Sequence, residues 1–184
     1  MAGSRKPPVN SYPEVFGQFT EFRHFKKNAI ILPKGRVENF ISLVCSGSVG
    51  IFIAKGSAEV CHAFVFENEY LSSYESFVSR KPSQLFIRAL ADVTLASISH
   101  KNMQLVLSSH EGLQYCKQIA DQLFFGSQQR IISFITQTAE ERYLDLLAKR
   151  PGVIQKIKQQ YIASYLGITP VSLSRIRAYI AKGH

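Results

Sequence analysis

The chain has 184 residues, enough for one medium domain or two small ones, and 46% of them are hydrophobic, which excludes a disordered polymer. Its net charge of +9 is uneven: residues 149–184 carry seven Lys or Arg and no Asp or Glu, leaving only +2 for the first 148 residues, a localised field that suits a polyanion such as DNA. Three scattered cysteines (Cys45, Cys61 and Cys116) exclude a disulfide framework and a CxxC metal motif, and no apolar run reaches membrane-spanning length.

In chain order, residues 1–14 read as a flexible tail without the apolar core of a signal peptide. Residues 15–24 predict a short leading helix and a turn. Strands are expected at 29–32, 40–45, 49–54, 60–66, 85–90 and 93–98, rich in β-branched and aromatic residues. Pro33-Lys34-Gly35, Ser46-Gly47-Ser48 and Lys55-Gly56-Ser57 punctuate them. The pattern predicts a jelly-roll-like barrel over 15–110. The polar stretch 66–84 interrupts it, with a short helix near 74–78, and marks a ligand cradle or a lid over the barrel end.

Past His100 the period becomes helical, with a short helix at 100–109 and a long one within 111–136. Gly112, Cys116, Ile119 and Leu123 recur three or four apart and predict a homodimer seam, with Cys116, Ile119 and Leu123 as its contact residues. Ala120, Phe124 and Ile131 form an adjoining face; the alternative is a helix buried against its own barrel. Residues 137–149 form another amphipathic helix, capped by Thr138, with Tyr143, Leu144 and Leu147 inward and Pro151-Gly152 at its end. A short helix at 153–157 follows.

The last unit, within 137–184, carries the most specific pattern: KQQYIASYLGITPVSLSRIRAYI. A helix at 159–166 puts Ile162, Ala163 and Leu166 inward. Gly167 supplies the left-handed residue, Thr169 is the N-cap of a second helix, and Pro170 fits its first turn. Leu173, Ile176 and Ile180 face in; Val171, Ser172, Ser174, Arg175, Ala178 and Tyr179 face out. That is a helix-turn-helix with a small, polar, basic reading face. Thr169, Val171, Ser172, Ser174 and Arg175 are expected at the groove, and Lys156, Lys158, Arg177 and Lys182 at phosphates.

Barrel, long helix and helix-turn-helix in this order resemble the CRP/FNR family of bacterial transcription regulators, over about residues 15–180. The segment TAEERYLDLLAKRPGV…QQYIASYLGITPVSLSRIR is similar to the branch common in Bacteroidetes. The resemblance implies an α+β fold, a cyclic-nucleotide-binding-type barrel, dimerisation through the long helix, a palindromic double-stranded DNA site, and RNA polymerase as a further partner. Cyclic-nucleotide sensors of that family carry a Gly-Glu pair and, about ten residues on, an Arg-Ser or Arg-Thr pair. Counting back from Ile87-Arg88-Ala89, those positions hold Ser72-Ser73 and Ser83-Gln84. The guanidinium that would pair with a cyclic phosphate is missing, so cyclic AMP or cyclic GMP binding is not expected. Ser72, Ser73, Tyr74, Ser83, Gln84 and Arg80 remain as candidate contacts for some other effector.

The N-terminal cysteine cluster of iron–sulfur members is absent, and no cofactor is expected. Where several members read bases with an Arg and a Glu, this chain has Pro170 and Val171; only the later Arg matches, as Arg175. His24, His62, His100, His110 and His184 show no metal-ligand spacing, and Cys61 and His62 point to opposite strand faces. No phosphate loop or nucleophile elbow occurs. The leading reading is a cytosolic, non-enzymatic regulator; its rivals are a ligand-sensing or protein-docking module with a vestigial helix-turn-helix, and a cupin-like enzyme.

Overall fold

The computed structural model describes residues 17–56 and 58–182; the expected tail at 1–14 and His184 lie outside them. Eight strands come first: β1 (Thr20–Phe25), β2 (Ile30–Leu32), β3 (Phe40–Ser46), β4 (Ser48–Lys55), β5 (Ala58–Phe66), β6 (Tyr70–Leu71), β7 (Leu85–Ala89) and β8 (Val93–Ser99). Helix α1 (Tyr74–Ser79) lies between β6 and β7. Then follow α2 (His100–Val106), α3 (His110–Thr136), α4 (Ala139–Lys149), α5 (Val153–Lys156), α6 (Gln159–Leu166) and α7 (Pro170–Ala181).

The strands form two four-stranded antiparallel sheets, β1-β8-β3-β6 and β2-β7-β4-β5. This is jelly-roll order, each sheet alternating early and late strands. Between the sheets lie Val44, Val49, Ile51, Val65, Ile87 and Leu95, residues of period two along their strands. The expected helix at 15–24 is corrected here: residues 20–25 are strand β1, in register with β8 from Thr20↔Ile98 to Phe25↔Val93. Phe19, Phe22 and Phe25 recur every third residue and mimic a helical stripe, but pairing with a central strand satisfies this backbone instead.

The second sheet is apolar on both faces. Its outward residues Phe52, Cys61, Phe64 and Phe86 join Tyr143, Leu146, Val153, Ile162, Leu166 and Leu173 in one continuous core. The helical unit is therefore packed on the barrel by α6, not tethered beside it. Phe52 stacks on Phe86 at 5.3 Å, and Tyr161 meets Phe52 edge-on at 5.1 Å. A bulge in β5 makes His62 the extra residue between Ile51↔Ala63 and Phe52↔Cys61. The Cys61 N–H beside it donates to Ser164 Oγ of α6 at 2.8 Å. Arg88, doubly bonded to Glu59 at 2.6 and 2.8 Å, and Arg150, 3.0 Å from Glu69, bracket the junction.

Helix α4 opens with a capping box between Thr138 and Glu141. Tyr143 and Leu146 are buried and Leu147 is half-buried, but Leu144 is exposed, a correction to its expected inward position. The buried set at this end is spaced by three, and Leu144 falls on the opposite side.

Candidate nucleic-acid interface and the cavity behind it

The helix-turn-helix follows its local signals closely. Gly167 has φ +73°, and its N–H bonds Ser164 O at 3.1 Å. A Cβ there would lie 2.8 Å from Phe134 Cε1 of α3, so the turn needs glycine for both backbone and space. Gly167→Ala should cost about 1–2 kcal/mol of stability, read as a fall in thermal midpoint of about 2–4 °C per kcal/mol. Thr169 Oγ1 accepts from Ser172 N at 3.1 Å and pairs with Ser172 Oγ at 2.9 Å. Both hydroxyls are thus engaged in the N-cap of α7. Ile162, Ala163, Leu166 and Leu173 close the core of the pair, with Ile176 and Ile180 packed at its edge.

The outer face of α7 is exposed. Val171 is 62% exposed, and Ser174, Arg175 and Ala178 are exposed beside it. Helical geometry puts Val171, Arg175, Ala178 and Lys182 on one side, opposite Leu173. Arg177 turns toward the flank, lining a small cleft with Gln159 next to Lys158. Lys156 does not join this set: its ammonium lies 5.8 Å from the Phe66 ring of β5, on the barrel side.

Two guanidiniums that the sequence reading did not single out hold the turn from behind. Arg142 of α4 donates to Leu166 O at 3.0 and 3.3 Å. Arg130 of α3 donates to Tyr165 O at 2.8 Å and lies 3.9 Å from the Tyr165 ring. Cations at a helix C-terminus complement its dipole, so α6 is capped by charge from two other helices. Spacing within α3 or α4 carries no signal of this, because both acceptors are backbone carbonyls remote in sequence.

Between β4, β5, the β6–α1–β7 segment and α3 lies a cavity of about 940 Å³, reaching Arg150 and Tyr165 of the helical unit. Ser72, Ser73, Tyr74, Ser83 and Gln84 line it. Ser73 and Ser83 meet at 2.8 Å, and Ser72 Oγ donates to Phe40 O at 3.0 Å. Arg80 does not line it, a correction: its guanidinium donates to Glu38 O, Phe77 O and Asn39 Oδ1. It caps α1 in left-handed conformation and is spent on the loop before β3. Glu38, which the sequence reading missed, is buried beside it; its carboxylate accepts from the N–H groups of Asn39, Phe40 and Ser73. Burial pushes its carboxyl above the usual range despite those donors.

The expected dimer residues lie on the protomer's own side of α3. Ile119 is 3% exposed, packed with Ile41, Phe77, Ile98, Met103 and Val106, while Cys116 and Leu123 pack against the same cluster. Cys116 Sγ is 3.3 Å from Met103 Sδ, and burial pushes its thiol up. The apolar face left open is the adjoining one: Phe124, Phe125, Ile131, Ile132 and Ile135 are 54–78% exposed. Cys61 faces the helical unit, where burial pushes its thiol up to about 12, and His62 lines the cavity. Among the described residues no group of three or more His, Cys, Asp or Glu could hold a metal ion, and no helix is long and apolar enough to cross a membrane.

The fold, a jelly-roll barrel followed by a long helix and a helix-turn-helix, is shared with solved structures of CRP/FNR transcription regulators. TTHA1359 of Thermus thermophilus, a transcriptional regulator of the CRP/FNR family, superposes with TM-score 0.71 at 17% identity, over 88% of this chain and 86% of its own. FixK2 of Bradyrhizobium japonicum gives 0.78 at 13% identity, over 89% and 85%. CLP of Xanthomonas campestris, a c-di-GMP-responsive global regulator, gives 0.73 at 18% identity, over 96% and 93%. At these identities the likeness is one of fold. No family model matches the sequence, and no curated protein matches it.

Proposed function

We propose that this protein is a homodimeric, sequence-specific DNA-binding transcription regulator of the CRP/FNR type, acting by binding rather than catalysis. The observation that carries this reading is the exposed face of α7, with Val171, Ser174 and Arg175 turned to solvent, in a segment with no acidic residue from 149 to 184. A hairpin that served only as packing would bury its second helix more fully. Arg175 reads a base edge, Val171 contacts a thymine methyl, and Ser174 reaches phosphate or a nearby edge, while Thr169 and Ser172 form the N-cap that presents them. The open stripe of α3 pairs with its copy, which sets two reading helices on a palindromic site. The cavity is the effector site, and Ser83-Gln84 at the cassette positions, where cyclic-nucleotide sensors carry the Arg that holds the cyclic phosphate, argue against cyclic AMP and cyclic GMP. RNA polymerase is the partner through which such a regulator acts.

The test is binding to random genomic fragments across a salt series. The expected result is tight, salt-sensitive binding with selection of a palindromic sequence; binding without any sequence preference overturns the reading. Neutralising Lys158, Arg177 or Lys182 should weaken binding to all sequences alike and flatten the salt slope by about one each. Lys156→Ala, by contrast, should leave the slope unchanged, because its ammonium is directed at Phe66.

A further inference from the structure

Of the two guanidiniums that line the cavity, one is already neutralised. Arg150 pairs with Glu69 at 3.0 Å. Arg130 is half-buried, and none of the ion pairs among the described residues involves it. Among the described residues its guanidinium donates one hydrogen bond, to the neutral carbonyl of Tyr165. The remaining cavity carboxylate, Glu75, sits on α1 at the cassette. A desolvated cation without a counter-anion is an expensive arrangement that an incoming anion relieves. Burial indeed lowers the hold of Arg130 on its proton, and burial with the nearby Arg130 charge lowers that of His62. Around it, Phe64, Phe124 and Tyr165 supply aromatic surface and Ser127 a hydroxyl. Arg130 is also the side chain that joins this cavity to the helix-turn-helix, through the C-terminal carbonyl of α6 two residues before Gly167.

We propose that the cavity takes a small organic anion with an aromatic body, and that Arg130 is both its receptor and the latch it releases. This rests on the reading of the cavity as the effector site. A carboxylate or phosphate in the cavity offers the guanidinium a planar, bidentate, charged partner, which outcompetes one neutral carbonyl and the faces of Tyr165 and Phe134 at 3.9 and 4.9 Å. As Arg130 turns to the anion, Tyr165 O loses its donor and α6 loses one of the two cations at its C-terminus. The turn that orients the reading helix is then held by Arg142 alone, so occupancy of the cavity changes the freedom of the helix-turn-helix.

The experiment uses the full chain with benzoate, phenyl phosphate and the neutral analogue benzamide. Each is raised to about 10 mM, where fragments of this size saturate a matching site. Calorimetry reads binding and amide hydrogen exchange reads residues 161–168. The expected result is binding of benzoate or phenyl phosphate but not benzamide, with several-fold faster exchange in that segment. Arg130→Gln should show the faster exchange without any probe and no further response. Arg130→Lys, which keeps the charge and the fold, should bind the anions several-fold more weakly. Equal binding of benzamide, or undiminished anion binding by both variants, overturns the proposal and leaves the cavity reading standing. Anion binding with unchanged exchange at 161–168 sinks the latch. No binding of any probe overturns both.

Discussion

Arg175→Ala lowers affinity for the preferred DNA site by about 1–3 kcal/mol per half-site and relaxes selection at one symmetric base-pair position. The expectation follows from position. Arg175 is exposed, lies in the first half of α7, and shares a side with Val171 and Ala178, whose small side chains let the backbone approach a groove. Ser172 and Thr169 are tied to each other at the N-cap, which leaves Arg175 as the long donor on the first two turns. A planar fork bridges guanine O6 and N7, and Lys does not reproduce it, so Arg175→Lys should lose the same base preference while keeping most of the salt dependence. Selection of bound sequences with wild type and both variants is the measurement. If affinity falls uniformly and the preferred site is unchanged, Arg175 is a phosphate contact and the base-reading role is wrong.

The second large effect concerns the open face of α3. Ile132→Asp should convert the proposed dimer to monomer. Ile132 is 54% exposed in the protomer, on the stripe that also holds Phe125 and Ile135 at heptad-like spacing. Burying such a side chain contributes about 1.5–3 kcal/mol, and the change acts in both subunits, so dimer affinity should fall by roughly two to four powers of ten. Sedimentation should show folded monomer, and DNA affinity should fall because each half-site binds alone. Leu123→Asp should behave differently. Leu123 packs against the protomer's own Ile119 cluster, so a carboxylate there lowers the unfolding midpoint first. A dimer that survives Ile132→Asp but not Leu123→Asp would move the interface back to the first stripe.

What the sequence determined by itself was local. The turn of the helix-turn-helix was legible to the residue because Gly167, Thr169 and Pro170 act within a few bonds of the backbone they shape, and α6 ends and α7 begins where those residues put them. The barrel was legible as a class, because turn residues and β-rich runs mark strands whatever their partners. Strand β1 was not, since a phenylalanine every third residue suits either helix or strand, and β8 made the choice. Nor was the side of α3 that meets the barrel: both stripes are apolar, and periodicity does not say which surface a stripe will find. The fit of Ile119 against Met103 and Val106 decided it. The continuous run of β4 and β5, apolar on alternate and intervening residues alike, did carry a sign that this sheet is covered twice. That the second cover is α6, and that Arg130 and Arg142 converge on its last carbonyls, came only from the tertiary structure, because guanidiniums that bind backbone oxygens leave no trace in the identity of the residues they hold.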